Sequence, residues 1–407
     1  MQGKKGRRAR GAFAAWQTVL KQQQRTYLDF NATAPLRAEA KAACVAALDL
    51  TGNASSVHTE GRAARAAIEA ARACVGVLAG VTARGVTFTA SGTEAANLAL
   101  SPSIVRAGEG KPVERLIVSA GEHACVLRGH RFAADRVDIA PLTRDGRIDL
   151  DALERLIARA RGPVMLALQG ANNETGVVQP VAEAAALVHA VGGVVVCDAV
   201  QLAGRSRCLM GELGADLMIV SSHKLGGPKG AGALTALSDA LVLPAPLVRG
   251  GGQERNLRAG TEDVAAIAGF GAAAATALSE EETEAPRLLA LREALASQVR
   301  ASAPDAVIFG ESVKRLPNTL CFAVPGIEAS TLVMGLDLAG VAVSSGAACS
   351  SGKVTRSAVL EAMGVASDLA GGAIRLSLGW SSSEADIARF GEAFEPLVKR
   401  IRGHRAA

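Results

Sequence analysis

Ala215-Asp216-Leu217-Met218-Ile219-Val220-Ser221-Ser222-His223-Lys224 runs through Leu225 into Gly226-Gly227-Pro228-Lys229-Gly230. The unbroken apolar run predicts a strand buried on both faces, and the glycine-proline cluster predicts an irregular turn after it. Lys224 therefore stands at the mouth of a sheet. There an amine can be desolvated, its pKa lowered and its nitrogen made available for a Schiff base. A lysine beside a Gly-Pro turn is ordinarily a solvated surface residue, and Lys229 keeps that reading. For Lys224 the residues at the other strand ends decide the matter.

Working outward, further short apolar runs predict strands at 85–89, 115–119, 164–168 and 193–197. Between them, helical spacing covers 62–78, the stretch from Ser91 through Leu100, 151–161 and 181–191. Strands alternating with helices, each strand without a polar face, predict an α/β fold whose mostly parallel central sheet is covered on both sides. Near residue 270 the pattern changes. Two helices, 263–278 and 284–301, precede apolar segments at 306–309, 319–324 and 373–378, predicting a smaller α+β domain. The expected organisation is a tail over 1–24, a large domain over 25–275 whose first residues are free to pack with the other domain, and a small domain over 276–407.

At 407 residues the chain is long enough for two cores, and 49% hydrophobic with 20% charged residues is ordinary globular composition. The net charge of +5 suggests nucleic acid until its distribution is considered. Lys4, Lys5, Arg7, Arg8, Arg10, Lys21 and Arg25 all precede the first acidic residue, Asp29, and leave the rest close to neutral. Such a tail reads as a solvated, flexible extension; an acid-free basic segment also fits organellar targeting. Neither nucleic acid nor membrane is an expected partner, and no apolar run is long enough to span a bilayer. Seven scattered cysteines without a CxxC pair point to free thiols in a reducing, cytoplasmic setting and to no metal site.

Polar residues recur just past the apolar runs, where open α/β sheets bind ligands. Ser91-Gly92-Thr93-Glu94 joins a strand to a helix start, suited to an anion such as phosphate. His123 follows the run ending at Ser119, Asn172-Asn173 the run ending at Leu168, and Asp198 the run ending at Cys197, with Gln201 three residues on. Each alone reads as a cap, a turn or a structural histidine. As a set with His223-Lys224 they match the needs of pyridoxal phosphate (PLP): a lysine, an acid for the pyridinium nitrogen, and donors for the 3′ oxygen and phosphate.

At this point the chain resembles the cysteine desulfurases, fold-type I PLP enzymes of the class-V aminotransferase group, from about Tyr27 to Leu397. The resemblance rests on Tyr27-Leu28-Asp29-Phe30-Asn31-Ala32-Thr33-Ala34-Pro35, Gly52-Asn53 with His58 and Gly61-Arg62, Ser91-Gly92-Thr93-Glu94-Ala95-Ala96-Asn97, and Glu122-His123. It continues through Asn172-Asn173-Glu174-Thr175-Gly176, Asp198-Ala199-Val200-Gln201, Ser221-Ser222-His223-Lys224, Arg258-Ala259-Gly260-Thr261 and Ser344-Ser345-Gly346-Ala347-Ala348-Cys349.

The resemblance implies a role for each matching residue. Lys224 would carry PLP, His123 would stack on its ring and handle protons, Asp198 would meet the pyridinium nitrogen and Gln201 the 3′ oxygen. Gly92, Thr93, Ser221 and His223 would hold the phosphate, joined by Thr261 of a second subunit in a homodimer. Asn172 and Arg375 would receive the substrate carboxylate, with Asn172 also part of the cofactor site; arginine suits a carboxylate through its planar fork.

Cys349 differs from the other cysteines, since glycines and serines rather than apolar residues surround it. That setting suits a nucleophile that attacks the sulfur of L-cysteine as a thiolate and keeps it as a persulfide. The implied function is conversion of L-cysteine to L-alanine, with sulfur passed to an iron–sulfur scaffold or sulfur-carrier protein. Cys349 would at most ligate an iron–sulfur cluster transiently. The loop Ser350-Ser351-Gly352-Lys353-Val354-Thr355-Arg356 is more basic than in many relatives, and the sequence past Trp380 is short for the scaffold-docking extension of housekeeping members.

Overall fold

The computed structural model describes residues 25–106, 112–238, 241–242, 246–346 and 356–406. Seven strands form the central sheet: β1 (Val86–Thr89), β2 (Arg115–Ser119), β3 (Val137–Ala140), β4 (Val164–Gln169), β5 (Val194–Asp198), β6 (Leu217–Ser221) and β7 (Gly232–Ala236). Their order is β1-β7-β6-β5-β4-β2-β3. Only β7 runs against its neighbours, pairing antiparallel with both β1 and β6. The mostly parallel sheet is the architecture the alternation predicted.

Both faces of the sheet are buried, and the period-two rule assigns them. Ile117, Leu166, Leu168, Val195, Cys197, Met218 and Val220 enter one core, beneath α2 (Thr59–Ala79), α4 (Leu150–Arg159) and α5 (Val181–His189). Leu116, Val118, Met165, Ala167, Val194, Val196, Leu217 and Ile219 enter the other, against α3 (Gly92–Ala99). α1 (Ala38–Leu48) packs on the long helix described next. Two strands had no clear signal in the sequence. Val137-Asp138-Ile139-Ala140 is a partly exposed edge, and Gly232-Ala233-Leu234-Thr235-Ala236 is rich in small residues of weak strand preference.

The sequence predicted separate helices at 263–278 and 284–301. The structure has one, α6 (Val264–Ser302), capped by Asp263, whose carboxylate accepts the Ala266 N–H at 2.9 Å. Glu280-Glu281-Glu282 are good helix formers and carry the helix across the expected gap. Pro286 removes one helical donor, but it and Glu282 face solvent, where water can serve the freed carbonyl. Along α6, Ile267, Phe270, Ala273, Ala274 and Ala277 join the large core, while Leu288, Leu291, Leu295, Ala296 and Val299 join a second one. The expected boundary at 275/276 thus falls inside a continuous helix.

The second core sits on an antiparallel sheet of β8 (Val307–Ile308), β9 (Thr319–Ala323), β10 (Ser344–Ser345) and β11 (Ala373–Ser377), in the order β8-β9-β11-β10. α7 (Ala329–Leu338) and α9 (Glu384–Ala406) pack against this part of the molecule, and α8 (Ala358–Ala362) borders it. Thr26-Tyr27 pairs in parallel with Val341-Ala342, Leu28 enters the second core, and Asp29 bridges to Ser377. The chain then crosses to the large sheet.

Gly271 of α6 lies so close to α2 that an added β-carbon would stand 2.4 Å from Ala71 Cα. Gly271→Ala is expected to lower stability by about 1–3 kcal/mol despite alanine's helix preference. Gly211→Ala, whose β-carbon meets nothing within 4 Å, should not lower it. Urea midpoints of the two variants check this.

Candidate active site

The carboxyl ends of the parallel strands open on one cavity, and most of the singled-out residues line it. Ser91, Gly92 and Thr93 follow β1, His123 follows β2, Asp198 ends β5 with Gln201 just beyond, and Ser221 ends β6. His223 and Lys224 occupy a single 3₁₀ turn after β6, and Arg375 enters from β11 of the second sheet. Residues spread over most of the chain therefore meet because all but Arg375 follow or end strands on the same edge of the large sheet.

Lys224 directs its amine at the 31–32 segment, donating to the carbonyls of Asn31 at 2.5 Å and Ala32 at 2.8 Å. The Gln201 amide donates to the same Asn31 carbonyl at 3.0 Å. His223 pairs through Nδ1 with the Thr33 hydroxyl at 3.1 Å. Burial, and then the charges of Lys224, Lys229 and Arg205, push its pKa from 6.5 down to about 4. The imidazole is neutral at physiological pH and functions there as a hydrogen-bonding group.

Asp198 is buried, and its carboxylate accepts the Val200 N–H at 3.0 Å. Burial raises its pKa, while the Val200 N–H and the positive charges of His123 and Lys224 oppose the rise. The buried carboxyl of Glu122 is also raised, well above the usual range, first by burial and then by Asp198. One Glu122 oxygen accepts the Gln169 N–H at 2.6 Å; the other has no protein partner. Burial thus acts against the charged form of both carboxyls, and more strongly on Glu122. His123 caps a one-turn helix, Ala124–Leu127, by accepting the Cys125 N–H on Nδ1 at 3.2 Å, which leaves Nε2 to carry a proton.

Arg375 is 1% exposed, yet it is committed only in part. One terminal nitrogen donates to Asp29 at 2.7 Å and the other to the Asn173 carbonyl at 3.0 Å, while the buried Nε has no partner. Elsewhere on the cavity wall, Ser91 caps α3 by accepting the Glu94 N–H at 3.1 Å. Gly92 lets this first turn approach closely: an added β-carbon would stand 3.3 Å from Ser221 Cβ and Val200 Cγ2. A helix start of this kind favours an anion.

PLP fits this donor set. Lys224 faces an acid, Asp198, across a cavity with a capped helix start, and the Gln201 side-chain oxygen in its wall is buried without a partner. Two named residues lie elsewhere. Asn172 is buried but does not line the cavity: its oxygen accepts the N–H groups of Glu174 and Thr175, both at 2.9 Å, and its amide donates to the Gly121 carbonyl. Its neighbour Asn173 holds the place in the wall. Thr261 lines a separate cavity with Thr89 and Arg258, and Cys349 lies outside the described residues. Conversely, Glu122, Asp29, Asn31 and Glu174 stood in recognisable motifs without assigned roles. A carboxylate or amide near an apolar run was their only signal. Among the described residues no cluster of three His, Cys, Asp or Glu is placed to hold a metal ion.

The family described as aminotransferase class-V matches residues 26–390. The cysteine desulfurase of Cereibacter sphaeroides is 40% identical over 386 residues, covering 93% of this chain and 97% of its own. Cysteine desulfurase IscS of Dictyoglomus turgidum is 35% identical, with 93% and 96% covered. Among solved structures, a NifS-like protein from Rickettsia africae superposes with a TM-score of 0.83 at 33% identity, over 92% of this chain and all (100%) of that one.

Asp29→Ala leaves the Arg375 guanidinium buried without its carboxylate. Breaking a buried pair in this way should cost about 3–5 kcal/mol. Asp29→Asn, which keeps an acceptor for Arg375, should cost less; chemical denaturation of the two variants measures the difference.

Proposed function

The chain belongs to the class-V aminotransferase family and, within it, to the cysteine desulfurases, and on that premise we propose that its cavity takes L-cysteine and returns L-alanine, leaving the sulfur on Cys349 as a persulfide. The observation that carries this reading is the meeting of Lys224, Asp198, His123 and Arg375 at one cavity on the carboxyl edge of the sheet.

PLP would be held by Lys224 through its amine, with Asp198 at the pyridine nitrogen, His123 over the ring and Gln201 near the 3′ oxygen. Gly92, Thr93, Ser221 and the neutral His223 would take the phosphate, and Thr261 would join them from the second subunit of a homodimer. When bound, PLP withdraws electrons from the substrate's carbon skeleton and so weakens its C–S bond.

The protein's own groups do the rest. Arg375 orients the substrate carboxylate through its fork, its Nε being without another partner. Asn172 supports that site from below by fixing the turn that carries Asn173 and Glu174. Lys224, once its amine is free, and His123 move protons at the substrate's α- and β-carbons. The Cys349 thiolate attacks the substrate sulfur; an S–S bond forms as the C–S bond breaks. The proton given up by Cys349 is balanced by the one gained at the β-carbon, which becomes the methyl group of alanine.

A persulfide is a carried product, so a sulfur-carrier protein or iron–sulfur scaffold is the partner that would receive it, in the cytoplasm. No helix among the described residues is long and apolar enough to cross a membrane.

Two substitutions separate cofactor from reaction. Lys224→Ala should abolish both the visible absorption of the PLP-loaded protein and alanine formation. Cys349→Ala should keep the absorption but reduce alanine formation from L-cysteine by roughly a hundred-fold or more. Sustained turnover by the Cys349 variant would sink the persulfide route.

A further inference from the structure

Glu174 is buried beside the cavity, and its carboxylate stands at both borders of the segment that carries Cys349. At one border, Ser357 Oγ donates a short hydrogen bond to Glu174 Oε2. The same hydroxyl accepts the Leu360 N–H at 3.0 Å, capping α8. At the other border, Gly346 donates its N–H to the Ala373 carbonyl at 2.9 Å, and an added β-carbon on Gly346 would stand 3.6 Å from the same Glu174 oxygen. Glu174 is itself held by the Asn172 turn and follows Asn173, whose carbonyl receives Arg375.

We propose that Glu174 is a positioning residue for sulfur transfer: its carboxyl group, through Ser357 and against Gly346, fixes the two borders of the Cys349 segment relative to Arg375. The inference rests on the desulfurase reading and adds to it a residue that touches neither substrate nor cofactor. Fixing where the segment enters and leaves relative to Arg375 lowers the entropy lost in bringing a thiolate to a bound substrate.

The charges facing Glu174 are those of Arg375 on β11 and His123 after β2, and the Cys321 thiol on β9 lies within its influence. Burial raises its pKa to about 7, against the pull of the Ser357 hydroxyl, Arg375 and His123. The carboxyl therefore changes charge in the working range, and the anionic form is the better acceptor for Ser357.

The test uses PLP-loaded Ser357→Ala, Ser357→Thr and Glu174→Gln, with Cys349→Ala beside them. Ser357→Ala should lower kcat for alanine formation roughly tenfold while KM for L-cysteine stays within about twofold. Ser357→Thr, which keeps the hydroxyl, should recover most of the loss. Glu174→Gln should lower kcat similarly and remove the inflection in kcat near neutral pH. Substrate binding, followed by the absorption change on adding L-cysteine, should persist in all of them. Loss confined to KM, equal activity of the alanine and threonine variants, or an unchanged pH profile in Glu174→Gln would overturn the proposal. Full turnover by Cys349→Ala would overturn the reading beneath it instead. If Glu174→Gln fails to fold, the Ser357 pair decides alone.

Discussion

Asn31 holds the two parts of the molecule and the site in one register. It is 1% exposed, and its polar groups are engaged throughout. The main-chain N–H donates to Ser377 Oγ at 2.9 Å, and the side chain joins Thr319 and Asn318 of the second sheet region. The carbonyl faces the other way and accepts from Lys224 and Gln201 of the large sheet. A buried polar residue used so fully tolerates little displacement, because any shift leaves a desolvated group unpaired. Asp29 and Arg375 extend the same junction, so the floor of the cavity is also the joint between the two cores.

The chemistry of the site follows from how few charges survive there. Burial neutralises the His223 imidazole and pushes the Glu122 carboxyl well up, while Asp198 lines the same cavity as Lys224 and Arg375 pairs with Asp29. A neutral His223 and a helix start form a polar rather than a strongly cationic anion site. The polarity is thus set by desolvation at the strand ends, which is why strand-end position was so informative.

That position is what the sequence made legible. Unbroken apolar runs marked the strands because both sheet faces are buried, and Ser91, His123, Asp198 and Lys224 were singled out because each follows such a run. Where local pattern carries no tertiary information the reading stopped. Asn172 and Asn173 are alike as letters, yet one folds into its own turn and the other faces the cavity. Asp29 and Arg375 meet across a separation of 346 residues, and Glu174 and Ser357 across 183. No periodicity reports such contacts. The continuity of α6 was missed because Ser279-Glu280-Glu281-Glu282-Thr283 interrupts the apolar spacing, while partial exposure on that side lets the helix pass through.

Two groups at the site titrate against each other during folding. The pKa of His223 falls from 6.5 to about 4, so the folded chain binds this proton less tightly, and the group's contribution to stability rises with pH across that interval. Glu174 rises from 4.5 to about 7, so its contribution is greatest below 4.5 and is lost as pH climbs towards 7. The shifts are similar in size and opposite in sign, and their slopes largely cancel where the intervals overlap. About a unit above 6.5 the imidazole is nearly neutral in both states and its slope fades, while Glu174 is still giving up its proton. A modest loss of stability as pH rises through neutrality therefore reports the charge forming on Glu174, at the borders of the Cys349 segment.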